Sequence, residues 1–212
     1  MNNFLKNKKY IIFDNVISTK KSNDVEKHIL DNKNFPWYMI GRDKKGNFLT
    51  TSVLDDTTKK WLKHKNVVDK GQLSHIFFYR KNFSLKSELV KNSSYCLIVE
   101  DLLKDFEIKI KNKIDIIRIK SNLIFESKKY TKKTYGMPHL DSNESHYVLI
   151  YYVNDCDGDT LLFDNKEKIV AKISPKKGRF LFFKGNILHA NGHPAKSNYR
   201  CVINFNISIN NE

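Results

Sequence analysis

The chain has 212 residues, of which 40% are hydrophobic and 12% aromatic, spread along its whole length. That is enough apolar material to bury a sizeable core, and it excludes a disordered polymer. It carries 38 Lys+Arg against 23 Asp+Glu, a formal net charge of +15, yet arginine stands only at positions 42, 80, 118, 179 and 200; because specific phosphate and base recognition favours the planar guanidinium, scattered lysines are weak support for a nucleic-acid footprint.

Cysteines at 96, 156 and 201 are too few and too scattered for a disulfide framework or a cysteine-based zinc site, and they suit a reducing compartment. No run reaches the ~18 apolar residues of a membrane span, and the apolar stretch in MNNFLKNKKYIIF is too short for a signal peptide. The expectation is a soluble, intracellular, cytoplasmic protein with no membrane partner.

No repeat, low-complexity tract or Gly/Ser-rich linker divides the chain, so residues 1–212 read as a single domain. Residues 1–113 read as a helical cover with support strands. Ser18-Thr19 is placed to cap a helix carrying Val25, Ile29 and Leu30, and Ser84 or Ser87 to open another reaching towards Lys111. Between them lie the aromatic clusters Phe35-Pro36-Trp37-Tyr38 and Ser74-His75-Ile76-Phe77-Phe78-Tyr79, which read as core more readily than as the lining of a groove.

From residue 114 the texture changes to short strands, predicted at 114–126, 146–154, 159–164, 168–173, 178–183 and 199–209. Asn-Asp, Asp-Gly, Asp-Asn, Ser-Pro-Lys-Lys-Gly and Asn-Gly separate them, all turn formers with known mechanisms. Short strands with almost no helix between them imply antiparallel sheets closed into a sandwich or jelly roll, here with a helical N-terminal cover: a mainly β, α+β chain.

Met137-Pro138-His139-Leu140-Asp141 puts an imidazole and a carboxylate at i and i+2, which share a face of an extended chain and can meet on one ion. His189, after the strand GRFLFF, is the candidate third ligand. Two imidazoles and a carboxylate on one face leave positions open, the arrangement of non-haem iron(II) oxygen chemistry. His-x-Asp alone is a common accident; the surrounding strands, the distal histidine and Arg200, eleven residues beyond it, raise its weight.

Residues 115–207 resemble the double-stranded β-helix (jelly-roll, cupin-like) core of the iron(II)/2-oxoglutarate oxygenases, in the prolyl-4-hydroxylase-like branch with its viral and phage relatives. The blocks that carry the resemblance are Pro138–Asp141, Ile150–Asn154 followed by Gly158–Leu161, Gly178–Phe183, Ile187–His189 and Tyr199–Ile203, in the family's order. The resemblance implies His139, Asp141 and His189 as catalytic metal ligands for Fe(II) and Arg200 as the cation for the distal carboxylate of 2-oxoglutarate. It also implies Tyr152 and Tyr130 as co-substrate contacts, with core packing as the competing reading for both. The implied activity is a dioxygenase that consumes O2, decarboxylates 2-oxoglutarate to succinate and hydroxylates a C–H bond of a peptidyl residue, possibly prolyl, or of an amino acid. Gly158-Asp159 stands where many members have two glycines, and Val202 where some have serine.

Two other readings stay open: a nucleobase- or nucleic-acid-oxidising oxygenase, motivated by the +15 charge, and a non-catalytic jelly-roll binding module. Nothing in the sequence addresses the oligomeric state. Of the remaining histidines, His193 reads as a solvated turn residue and His146 as rim or structure, while His28, His64 and His75 have no partnered spacing.

Overall fold

A computed structural model describes residues 5, 8–39, 60–68 and 71–210. Its larger sheet runs, in chain order, through β1 (Tyr10–Phe13), β2 (Tyr38–Met39), β3 (Leu73–Arg80), β4 (Leu89–Lys91), β5 (Lys113–Phe125), β6 (Tyr147–Tyr152), β9 (Phe180–Lys184) and β11 (Tyr199–Asn210). Their spatial order is β1-β9-β6-β11-β5-β3-β2, with β4 beside β3, and every pair is antiparallel. The smaller sheet, β10-β7-β8, comprises β7 (Thr160–Phe163), β8 (Ile169–Ile173) and β10 (His189–Asn191). The two sheets form the jelly roll, the double-stranded β-helix expected from the sequence.

Alternation along the central strands decides what each face of the larger sheet does. Ile119 and Leu123 of β5, Leu149 and Tyr151 of β6, Phe180 and Phe182 of β9, and Cys201, Ile203, Phe205 and Ile207 of β11 point to one side and are buried in one core. Helix α2 (Cys96–Ile110) covers that side because Cys96, Val99, Leu102, Leu103, Phe106 and Ile110 fall on a single stripe at helical spacing. Helix α1 (Thr19–Glu26) adds Val25, and the π turn that follows it adds Ile29; Ser18 Oγ caps its start by accepting from the Lys21 amide at 3.1 Å. The residues in between face the smaller sheet, where Val148, Ile150, Tyr152, Leu181, Phe183 and Val202 pack with Leu162, Ala171 and Ile173.

The strands predicted after residue 114 match β5, β6, β7, β8, β9 and β11 to within two residues at each end. The second N-terminal helix starts later than predicted, at Cys96 rather than after Ser84 or Ser87, because Leu89–Lys91 pairs with Phe78–Arg80 as a strand. The aromatic segment Ser74–Tyr79 belongs to β3, which hydrogen-bonds to β5, so sheet pairing overrides the helical texture of that half.

Candidate metal centre and its pocket

His139 and His189 lie fifty residues apart in sequence, and backbone pairing brings them together. The amide of His139 donates to the His189 carbonyl at 3.0 Å and the amide of His189 to the His139 carbonyl at 3.1 Å, an antiparallel bridge between the 137–139 segment and β10. A turn contact beyond it closes the approach: a Cβ on Gly158 would stand 2.6 Å from the Gly192 carbonyl oxygen, so only glycine fits there. The imidazole ring centroids are consequently 4.8 Å apart, and Phe183 packs edge-on against His189 at 5.1 Å.

Each imidazole is oriented by the backbone. His139 Nδ1 lies 2.9 Å from the Met137 carbonyl and His189 Nδ1 lies 3.1 Å from the Ile187 carbonyl. A carbonyl only accepts, so Nδ1 carries the proton in both rings and each Nε2 presents a lone pair. Burial favours the neutral ring: it brings His139 down to about 4, assisted by His189, and lowers His189 as well.

Asp141 completes the set, with one ligand atom from each of the three residues lying within 4.8 Å of the others. Its Oδ1 accepts from Arg118 Nη2 at 2.8 Å, and its Oδ2 accepts from Asn204 Nδ2 at 3.0 Å and Asn206 Nδ2 at 2.9 Å. Burial pushes this carboxyl up, but Arg118 first, and then the neighbouring imidazoles and Lys120, outweigh it and hold the group well below the usual carboxylate range. Asn206 is itself fixed, because its Oδ1 accepts from Arg118 Nε at 3.0 Å. Two neutral imidazoles with exposed lone pairs and one ionised carboxylate form a donor set that suits a divalent iron ion and leaves coordination positions open.

The adjoining pocket is lined by His139, His189, Lys120, Asn122, Ile150, Thr160, Arg200, Val202 and Asn204, among others. Arg200 is 3% exposed, and its Nε and Nη2 donate to the Gly158 carbonyl and to Thr160 Oγ1, both at 2.8 Å. Tyr152, whose hydroxyl burial pushes up to about 12, donates to the same Thr160 oxygen at 2.7 Å, and its ring lies 5.9 Å from the guanidinium. Thr160 Oγ1 thus ties the tyrosine and the arginine together.

Tyr130 is stacked on His193 at a centroid separation of 4.0 Å, and neither it nor Tyr152 is among the residues lining this pocket. His193 is 3% exposed, which corrects the expectation of a solvated turn histidine: the aromatic stack buries it. His146 is structural, buried against Gly185 and Phe83 with Nδ1 at 2.7 Å from the Glu144 carbonyl.

Sequence reasoning missed Arg118, Lys120, Asn122, Thr160, Asn204 and Asn206. The signal was present in IRIKSNL and INFN, where polar residues alternate with core residues on strands central to a sheet. Such alternation ordinarily means a solvated face.

Residues 125–208 match the family model described as the 2OG-Fe(II) oxygenase superfamily. No curated protein sequence matches the chain. Among solved structures, a prolyl hydroxylase from Trichoplax adhaerens in complex with a hypoxia-inducible-factor oxygen degradation domain peptide is 16% identical, with a TM-score of 0.62 over 96% of this chain and 84% of that one. The viral collagen prolyl hydroxylase of Paramecium Bursaria Chlorella virus-1, in a 2-oxoglutarate complex, is 16% identical with a TM-score of 0.52 over 96% and 98% of the two chains. An oxidoreductase of the 2OG-Fe(II) oxygenase family from Burkholderia pseudomallei is 10% identical with a TM-score of 0.63 over 96% and 87%. At these identities the structural likeness speaks for the fold.

Proposed function

We propose that the chain is a 2-oxoglutarate-dependent dioxygenase using iron(II) and O2, a reading supported by the match of residues 125–208 to the 2OG-Fe(II) oxygenase superfamily model, and that it hydroxylates a C–H bond of a peptidyl residue, prolyl among the candidates, or of an amino acid. The observation that carries this reading is the convergence of two free Nε2 lone pairs and one ionised carboxylate in a single pocket with a buried arginine. Prolyl hydroxylases among the structural relatives support a peptidyl or amino-acid substrate. Residues 1–212 act as a single oxygenase domain, a reading supported by β1 and β3 of the N-terminal half pairing with β9 and β5.

His139, Asp141 and His189 hold the metal. Iron(II) with 2-oxoglutarate and O2 supplies the oxidising chemistry, with succinate and carbon dioxide as by-products. The protein's part is to hold, orient and exclude. Met137 and Ile187 fix the imidazole tautomers, and Arg118, Asn204 and Asn206 fix the carboxylate. Arg200, fixed by Gly158 and Thr160, would supply the cation for the distal carboxylate of 2-oxoglutarate. Ile150 and Val202 give the pocket an apolar wall that keeps water from the reacting carbon.

The test is anaerobic iron(II) titration followed by succinate release with proline-containing peptides and free amino acids. One iron per chain is expected, lost in His139→Ala and in Asp141→Ala; near-wild-type affinity in both variants sinks the assignment. A nucleic-acid substrate has one observation in its favour, since Lys132, Lys133 and Lys172 line a neighbouring cleft. It predicts tight oligonucleotide binding near physiological salt together with turnover stimulated by oligonucleotides and not by peptides or amino acids.

A further inference from the structure

Lys120 is a cation that lines the pocket. It lines the same wall as His139 and His189, and among the described residues no hydrogen bond or ion pair is made by its ammonium group. The other cations near the centre are committed: Arg118 to Asp141, and Arg200 to Gly158 and Thr160. Burial brings the Lys120 ammonium down to about 8, with Arg118 adding to the shift and Asp141 opposing it. Iron(II), Asp141, Arg118, Arg200 and a 2-oxoglutarate dianion together already leave a positive surplus before Lys120 is counted, so this lysine's charge exceeds what metal and co-substrate require.

Beside it stands the opposite chemistry. Asn204 is paired across the strands with Lys120 and is 6% exposed. Its Nδ2 must face Asp141, because a carboxylate only accepts, so its Oδ1 is turned the other way, where it is buried without a hydrogen-bond partner. Asn122 Oδ1, in the same wall, is likewise buried and unpartnered. Buried acceptors without donors are rare in native proteins and call for a partner.

The register separates this pair from the arginine. Lys120 lies opposite Asn204, whereas Arg200 lies opposite Ile124. The offset is four positions along the strand, roughly 13 Å of backbone, so the two side chains enter the pocket from different points along its wall.

Resting on the oxygenase reading above, the geometry points to a substrate subsite at the level of the metal, in which Lys120 takes a carboxylate and the Asn204 carbonyl oxygen takes a protonated amine. The substrate class is a free α-amino acid. An internal residue of a peptide offers neither group, since its carboxyl and amine are both amides.

The test uses the full chain loaded with iron(II) under anaerobic conditions, by calorimetric titration, in three arms. 2-Oxoglutarate is titrated first. The twenty free amino acids are then titrated onto the iron and 2-oxoglutarate complex, followed by the primary carboxamide of each binder. All arms are repeated with Lys120→Met, which keeps the stem and removes the charge, and with Lys120→Arg, after thermal melting has shown that both variants are folded. At least one amino acid is expected to bind, its carboxamide at least about ten-fold more weakly, as expected for loss of a charge-assisted contact. Lys120→Met should abolish that discrimination, Lys120→Arg should restore part of it, and 2-oxoglutarate affinity should move less than about three-fold in either.

If 2-oxoglutarate fails to bind the wild-type protein, the oxygenase reading falls and takes this proposal with it. If 2-oxoglutarate binds but no amino acid does, or acid and carboxamide bind alike, only the subsite is overturned. A ten-fold or greater loss of 2-oxoglutarate affinity in Lys120→Met would assign the lysine to the co-substrate's metal-proximal carboxylate and overturn the subsite as well.

Discussion

The two faces of β11 differ by one residue in register and obey opposite rules. Cys201, Ile203, Phe205 and Ile207 fill the core under α2, while Arg200, Asn204 and Asn206 on the alternate positions are just as deeply buried yet polar and hydrogen-bonded around the metal centre. Burial alone therefore does not distinguish packing from function in this sheet. What distinguishes them is whether the buried group is satisfied by apolar contact or by a directed hydrogen bond. The first kind sustains stability and the second sustains binding.

The largest effect expected from separating these roles falls on the packing face. Phe205 is fully buried, and Phe205→Ala should lower unfolding free energy by about 3–5 kcal/mol. Denaturant titration checks this, and iron affinity per folded molecule should be unchanged; a parallel loss of iron affinity would mean the faces are not independent. Next, on the polar face, Arg200→Ala should raise the 2-oxoglutarate dissociation constant roughly 10- to 150-fold, the equivalent of about 1.5–3 kcal/mol for a charged hydrogen bond. Iron binding should persist, and calorimetry with each ligand in turn separates the two outcomes.

Asn206→Ala probes the support of a metal ligand rather than the ligand itself. It removes one donor to Asp141 and the acceptor of Arg118 Nε, so iron affinity should fall about 10- to 100-fold without being abolished. An unchanged affinity would make the asparagine a packing residue like its neighbours. The smallest effect lies outside the comparison and serves as its control. Arg179 donates through Nε and Nη2 to both oxygens of Asp14, and this hydrogen-bonded arginine lowers the carboxyl's pKa. A lowered carboxylate pKa contributes stability that is present above the unfolded value, near 4, and is lost as pH falls through the folded value. The pair is partly exposed, so Asp14→Asn should cost under about 1 kcal/mol at neutral pH. The difference from wild type should shrink as pH falls below the unfolded value in thermal melts.

How far the chain could be read from its residues follows the same division. Period-two patterning and turn residues located the strands from β5 to β11, apart from β10, because those signals are local. His139, Asp141 and His189 could be singled out by spacing and context, and the structure brings them within reach of one another. Properties that depend on partners remote in sequence could not be read. Leu89–Lys91 is a strand only because β3 is beside it, and β10 exists only through its pairing with β7 and its bridge to His139. Lys120 and Asn204 look like a solvated edge until β11 is seen to lie between β5 and β6, with the smaller sheet facing it. His193 was hidden the same way, since only the folded chain shows the Tyr130 ring that covers it.

The hydrogen bonds to Asp141 also limit how it can ligate. A carboxylate offers about four lone-pair directions, two on each oxygen. Asn204 and Asn206 take both on Oδ2, and Arg118 takes one on Oδ1. A single direction remains, so the aspartate would hold an ion through one oxygen rather than two. With each imidazole giving one nitrogen, the three residues would hold an ion through three atoms and leave its remaining positions to small molecules. The denticity of the aspartate, and with it the room for reactants, is thus set by two asparagines and an arginine that need never touch the metal.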